Sequence, residues 1–219
     1  FVAVRGGENS AVNVTGNYLG GRPASSTAAI VLENSVDATV TQNTISSFGG
    51  DAIRLVNGAL RVSVAQNDIA NVGVGVHLLA MSGQETSWIE QVYIEYNQVR
   101  DVMQAAVLMD HAPGEQAGGI ADLCICANTI TQEAGRLVDD ASLIDLRLGA
   151  TGDLPYGRIV VRETTLTLQG RTAGNAVYAL RVRGALDQVD AVSYTHLTLP
   201  TSDLVKTSVA ADSLKKTTR

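Results

Sequence analysis

Hydrophobic and polar positions along the chain follow one unit that recurs six times. Two apolar residues sit at alternate positions, an Asn follows three residues later, and another apolar residue comes two beyond it. The copies are Val12, Val14, Asn17 and Leu19; Ala38, Val40, Asn43 and Ile45; Val62, Val64, Asn67 and Ile69; Val92, Ile94, Asn97 and Val99; Leu123, Ile125, Asn128 and Ile130; and Ile159, Val161, Thr164 and Leu166. Only the last replaces the Asn. Period-two alternation predicts a short strand with one buried face in each copy. Successive copies are 26, 24, 30, 31 and 36 residues apart, lengths that suit one turn of a solenoid.

A second apolar pair leads each following unit: Ile30 with Leu32, Ile53 with Leu55, Val76 with Leu78, Val107 with Met109, Ile144 with Leu146, and Val177 with Ala179. Three short strands per turn therefore recur in fixed order. Hairpins alternate direction and would not return the same Asn to every copy; a coil of parallel strands does, with about 4.8 Å between turns. Asn17, Asn43, Asn67, Asn97 and Asn128 then form a column at a tight bend. Their amides are expected to hydrogen-bond upward and downward, with the left-handed conformation that Asn tolerates helping the bend. Their role is structural.

This pattern resembles the right-handed parallel β-helix of the pectin-lyase-like superfamily, over residues 10–191. The family includes polysaccharide lyases, polygalacturonases, sugar epimerases, phage tailspikes and secreted adhesins. The resemblance implies an all-β, right-handed parallel β-helix of about six turns with an Asn ladder. It also implies a location outside the cell or on its surface, and a polysaccharide groove along the first-strand sheet. Gly50-Asp51-Ala52-Ile53 is similar to the Gly-Asp-Asp motif of polygalacturonases, with Ala52 in place of the second carboxylate.

Composition divides the chain. Residues 1–191 carry twelve Arg, no Lys and twenty acidic residues, a net charge of -8, whereas Lys206, Lys215 and Lys216 all fall in the last 28 positions. Residues 192–201 read VSYTHLTLPT and look like the translation of a transposon-type sequencing adapter; residues 205–216 resemble more of the same. Residues 192–219 are accordingly expected to be a non-native tail, disordered or loosely packed. With Phe1 in place of an initiating Met, residues 1–191 are expected to be a β-helix fragment cut at both ends. The acidity and the lack of clustered cations argue against a nucleic-acid partner. No stretch approaches the roughly 18 apolar residues of a membrane span.

Three connections are long, at residues 79–91, 110–122 and 147–158, and occupy the same point in successive turns, so they are expected to stack on one flank. Beside them, the outward positions of the leading strands form a column of Val31, Arg54, His77, Leu108, Asp145 and Tyr178. A second column, near the edge, holds Glu33, Val56, Leu79, Asp110, Arg147 and Leu180. Arg54, His77, Asp110 and Asp145 are the candidate catalytic residues. An imidazole exchanges protons near neutrality, a guanidinium neutralises a carboxylate, and carboxyls accept or deliver protons. Arg54, His77 and Asp110 are the nearest trio, since the whole column spans about 19 Å at the turn spacing. Trp88, Tyr178 and Arg147 are candidate substrate contacts, Trp88 through stacking on a sugar face or, equally, as a seal between loop and coil.

Cys124 and Cys126 flank Ile125 and point the same way. Two free thiols are the expected state, with a redox pair or a soft-metal contact as the sharper reading. Motifs for zinc proteolysis, nucleotide hydrolysis and serine-hydrolase chemistry are absent from the sequence, and neither cofactor nor metal is expected. The reading that follows is an exported carbohydrate-active protein that binds or modifies a polysaccharide or cell-surface glycan, by a lyase, epimerase or hydrolase reaction. A lyase or epimerase would use His77 as base and Arg54 as counter-charge; a hydrolase would need Asp110 paired with Asp145. The alternative is a non-catalytic adhesin or structural surface module.

Overall fold

The computed structural model describes residues 2–4, 9–80, 88–111, 119–133, 141–147, 158–169, 178–183, 189–190 and 197–198. Among them every regular element is a strand, every pairing is parallel, and the strands form two sheets. The chain is thus an all-β parallel solenoid, and the repeat seen in the sequence is its stacking register. Val14, Val40, Val64, Ile94, Ile125 and Val161 lie side by side in one sheet. Ile45, Ile69, Val99, Ile130 and Leu166 do so in the other. With Ile30, Ile53, Val76, Val107 and Ile144, these columns form one continuous buried core. Each fully buried aliphatic side chain in it contributes about 1.5–3 kcal/mol.

Two of the three expected strands merge. Thr44–Val56, Asp68–Ala80 and Gln98–His111 each run without a break from one face of the coil to the next, turning at Ser47, Asn71 and Asp101. These three residues have φ of 64, 54 and 54°, so each corner is a single left-handed residue. Just past the first corner, a Cβ on Gly50 would lie 2.5 Å from the Ser26 carbonyl oxygen, an approach only glycine allows.

The polar column is a true ladder. Asn43 donates its backbone N–H and its Nδ2–H to Oδ1 of Asn67, both at 3.0 Å, and a further Nδ2–H reaches back to the Val14 carbonyl at 2.9 Å. Asn17, Asn67 and Asn97 repeat the double donation to the next Asn. At its end Asn128 donates its backbone N–H to Thr164 Oγ1 at 3.5 Å, and the Thr164 hydroxyl points to the Ile125 and Arg162 carbonyls. Thr supplies the same acceptor with one fewer hydrogen, which is why it can stand where the Asn repeat ends.

The left-handed residue at this bend is not the Asn. It is the residue before it: Gly16, Gln42, Gln66, Tyr96, Ala127 and Glu163, with φ between 53 and 70°. A left-handed non-glycine residue costs on the order of 1–2 kcal/mol. The ladder's buried hydrogen bonds hold the conformation whatever side chain occupies it.

One register departs from the sequence reading. Ile144 lies beside Leu180 rather than Val177, and Leu146 beside Val182, so the strand Tyr178–Arg183 is displaced by three residues. Of the expected tail, only Leu197–Thr198 is described, lying parallel to Leu166 and Thr167. The rest of residues 192–219, and the middles of the three long connections (81–87, 112–118 and 148–157), lie outside the described residues. No helix among the described residues is long and apolar enough to cross a membrane.

Candidate functional site

Val31, Arg54, His77, Leu108 and Asp145 stand in register on the outer face of the leading-strand sheet, as the alternation predicts. The next position is Arg181, not Tyr178, because of the three-residue displacement. Tyr178 is paired with Ser142 instead, and its ring lies 4.7 Å from the Arg181 guanidinium carbon, a cation–π contact. In the edge column Leu79, Asp110 and Arg147 are adjacent as expected, and Arg183 takes the place assigned to Leu180.

The candidate residues separate into two charge clusters. The first is organised by Asp51, the carboxylate of the Gly50-Asp51-Ala52-Ile53 motif. His77 Nδ1–H donates to Asp51 Oδ2 at 2.9 Å, and Arg54 Nε–H donates to the same oxygen. Local geometry produces this meeting. Asp51 is paired with Val74, and the register shifts between Val72 and Val74, so the strand corner swings the carboxyl beneath the neighbouring Arg54 and His77. Small apolar clusters flank the group: Ala28, Val31 and Val56 on one side, Val74, Ala105 and Leu108 on the other.

Water is largely excluded, with side-chain exposures of 7% for Asp51, 12% for His77 and 31% for Arg54. Burial alone would raise the carboxyl's pKa. The hydrogen bonds and charges of His77 and Arg54 outweigh it and hold Asp51 below the usual carboxylate range. An ionised Asp51 accepts only, which fixes His77 with its proton on Nδ1. Its Nε2 is buried with no hydrogen-bond partner, and in the neutral ring that nitrogen is the acceptor. A carboxylate that orients an imidazole through one nitrogen and leaves the other unpartnered is the arrangement found in general bases.

The second cluster centres on Asp145, whose side chain is 3% exposed. Its Oδ2 accepts from Arg147 Nε at 3.0 Å and from Arg183 Nη2 at 2.9 Å. Arg147 also extends Nη1 to within 3.6 Å of Asp110 Oδ2. The structure therefore brings Asp110 and Asp145 together, but across a shared guanidinium. Leu108 separates this cluster from His77, so Asp110 joins Asp145 and Arg147 rather than Arg54 and His77. Asp145 Oδ1 and Arg183 Nε are buried without partners. Sequence reasoning missed Asp51 as a site residue and Arg183 altogether. Asp51 had a signal, the Gly-Asp motif; the only signal for Arg183 was the three-residue slip itself.

Trp88 precedes the strand Ile89–Glu95, and its ring lies against Gly119, where a Cβ would come within 2.5 Å of the indole. The ring covers the start of the next turn. The cysteine expectation is corrected: Cys124 and Cys126 form a disulfide, and among the described residues no cysteine is free. Their Cα atoms are 5.7 Å apart, shorter than the roughly 6.6–6.8 Å of two steps along a flat strand. Left-handed corners at Asp122 and Ala127 bracket the segment, and the shorter spacing lies within the disulfide range.

Comparison with protein-family models, with curated proteins and with solved structures finds no match to this chain.

Proposed function

We propose that the chain is an exported, carbohydrate-active protein of the right-handed pectin-lyase-like β-helix type, built of about six turns. It binds or modifies a polysaccharide or cell-surface glycan on the outer face of the leading-strand sheet. The observation that carries this reading is the bond from His77 Nδ1–H to Asp51 Oδ2, with Nε2 buried and unpartnered. In a lyase or epimerase step His77 Nε2 would take the proton next to a uronate carboxylate. Asp51 would hold the resulting imidazolium, and the partly exposed Arg54 would meet the substrate carboxylate. A hydrolytic pairing of Asp110 with Asp145 is less well supported, because Arg147 bridges both carboxylates. The Cys124–Cys126 disulfide supports export, since disulfides persist in oxidising compartments.

A second reading, a non-catalytic adhesin or structural module, is favoured by two observations. Nε2 of His77 is shielded from solvent, and Arg54, Arg147 and Arg183 are each engaged with a carboxylate. The test is incubation of the full chain and of His77→Gln with panels of uronate-rich and neutral polysaccharides, following ultraviolet absorbance of unsaturated products, uronate epimer content, reducing ends and retention in affinity gels. Unsaturated or epimerised product lost in His77→Gln supports the base. Retention without product, equal in both proteins, supports the module. Neither product nor retention on any glycan overturns the carbohydrate reading.

A further inference from the structure

The second sheet carries a different chemistry on its outer face, away from the Asp51 and Asp145 clusters. Tyr93 lies beside Cys124, and Glu95 beside Cys126, across neighbouring parallel strands. The Glu95 carboxylate and the two sulfurs lie within 4.8 Å of one another. A cleft of about 260 Å³ opens beside this group at Cys124, with Gln91, Tyr93, Asp122, Arg158 and Arg162 also in its lining.

A cross-link over a single intervening residue does little as a staple. The stabilisation a disulfide gives through chain entropy shrinks with the loop it closes, and this strand is already paired on both sides, to Ile89–Glu95 and to Ile159–Arg162. Opening the bond removes no contact between turns. It does release two sulfur ligands on the same face as a carboxylate, in a segment whose backbone both neighbouring strands hold in place. A tetrahedral zinc ion with Zn–S near 2.3 Å and Zn–O near 2.0–2.2 Å needs donors about 3.5–3.8 Å apart. The three donors start within 4.8 Å of one another, close to that spacing. Thiolates are also the ligands that select zinc over calcium or magnesium.

We propose that Cys124, Cys126 and Glu95 form a redox-gated site for a thiophilic divalent cation, zinc above all: closed as the disulfide, open when reduced. A dithiol breaks the Cys124–Cys126 S–S bond, delivering two electrons and two protons and closing its own disulfide. Zinc then binds both sulfurs, and the two thiol protons leave to solvent. Glu95 supplies the third ligand, and water entering through the cleft supplies the fourth. Arg162, beside Cys126, favours the thiolate forms that bind the metal.

The test uses the full chain, oxidised or reduced under argon with a phosphine, which becomes its oxide with the oxygen of a water molecule and is then removed. Each form is titrated with Co²⁺ as a spectroscopic probe and then with Zn²⁺. The reduced chain is expected to bind one Co²⁺ with thiolate charge-transfer and tetrahedral ligand-field bands, and Zn²⁺ to displace it. The oxidised chain, with every other potential ligand intact, is expected to show neither band. Glu95→Gln removes a direct ligand without touching either sulfur, and is expected to weaken binding by at least the tenfold typical of losing an outer-shell partner. Circular dichroism of both redox forms is expected to superimpose. The proposal is overturned if the reduced chain shows no thiolate band, if Glu95→Gln binds as tightly as the parent, or if reduction alone unfolds the sheet.

Discussion

Asn67 places two hydrogens on one atom: its backbone N–H and its Nδ2–H both point to Oδ1 of Asn97, at 3.0 and 2.9 Å. Neither donor has access to water, because both amides are about 1% exposed. Asn97→Ala would orphan both donors of Asn67 and remove the bond from Asn97 Nδ2–H to the Val64 carbonyl. With about 1–3 kcal/mol for each buried group left unpaired, the expected loss is about 3 kcal/mol or more. Asn97→Thr, which copies the arrangement at Thr164, keeps an acceptor for Asn67 and is expected to lose less than Asn97→Ala. Urea midpoints of the two variants decide it; equal losses would mean that side-chain volume, not the shared acceptor, matters at this bend.

Ala127 offers the opposite sign of a familiar substitution. Alanine to glycine normally weakens a strand, but Ala127 has φ 54°, a conformation glycine adopts at no steric cost. Ala127→Gly is expected to stabilise the chain by roughly 0.5–1 kcal/mol after the extra entropy of the unfolded glycine is subtracted. Ala65→Gly, inside the strand Leu60–Ala65, is the control and is expected to destabilise. A rise in thermal midpoint for the first and a fall for the second confirm it; a fall in both shows that the ladder does not hold the corner under strain.

The scaffold was legible in the sequence because its determinants repeat: Val64 is buried for the same reason as Val40 and Ile94, so every copy votes for the same register. The site was less legible because it depends on what happens once. That Asp51 reaches His77 depends on the register shift between Val72 and Val74, a single irregularity that no periodicity announces. Near Tyr178 two apolar pairs lie in opposite phases, Val177 with Ala179 and Leu180 with Val182. The pairing of Ile144 with Leu180, which hydrophobic spacing alone did not select, puts Arg181 and Arg183 where Tyr178 and Leu180 were expected. The Cys124–Cys126 bond was not selected for a related reason: a flat strand holds alternate Cα atoms near the outer limit of disulfide geometry, and the contraction to 5.7 Å belongs to this segment.

Asp145 sits at the centre of two guanidiniums, yet its removal should cost less than a buried ion pair usually does. Breaking such a pair commonly costs about 3–5 kcal/mol, because the remaining charge is stranded. Here Arg147 and Arg183 are 31% and 41% exposed, so both can turn to water, and Asp145 Oδ1 contributes no hydrogen bond that would be lost. Asp145→Asn is therefore expected to lose about 2 kcal/mol at pH 7, at the level of one or two charge-assisted hydrogen bonds. A loss above about 4 kcal/mol in denaturant titration would show that the guanidiniums are held in place by the surrounding turns.

Asp51 makes the stability of the first cluster depend on pH, and the direction follows from its shift. The folded carboxyl is held below its ordinary value by His77 and Arg54. In the unfolded chain it returns to about 3.9. A depressed acid stabilises the fold above the unfolded value, and that contribution disappears as pH falls through the folded one. Between pH 5 and 7, Asp51→Asn is expected to be less stable than the parent by about 2 kcal/mol, the weight of hydrogen bonds to charged groups. Below about pH 4 the two stability curves should converge, because the parent's carboxyl is then gaining the proton whose charge effect the amide mimics. Urea midpoints of both proteins across this range give the difference directly. A gap that stays constant, or widens toward acid, would mean that Asp51 holds His77 through shape rather than through charge.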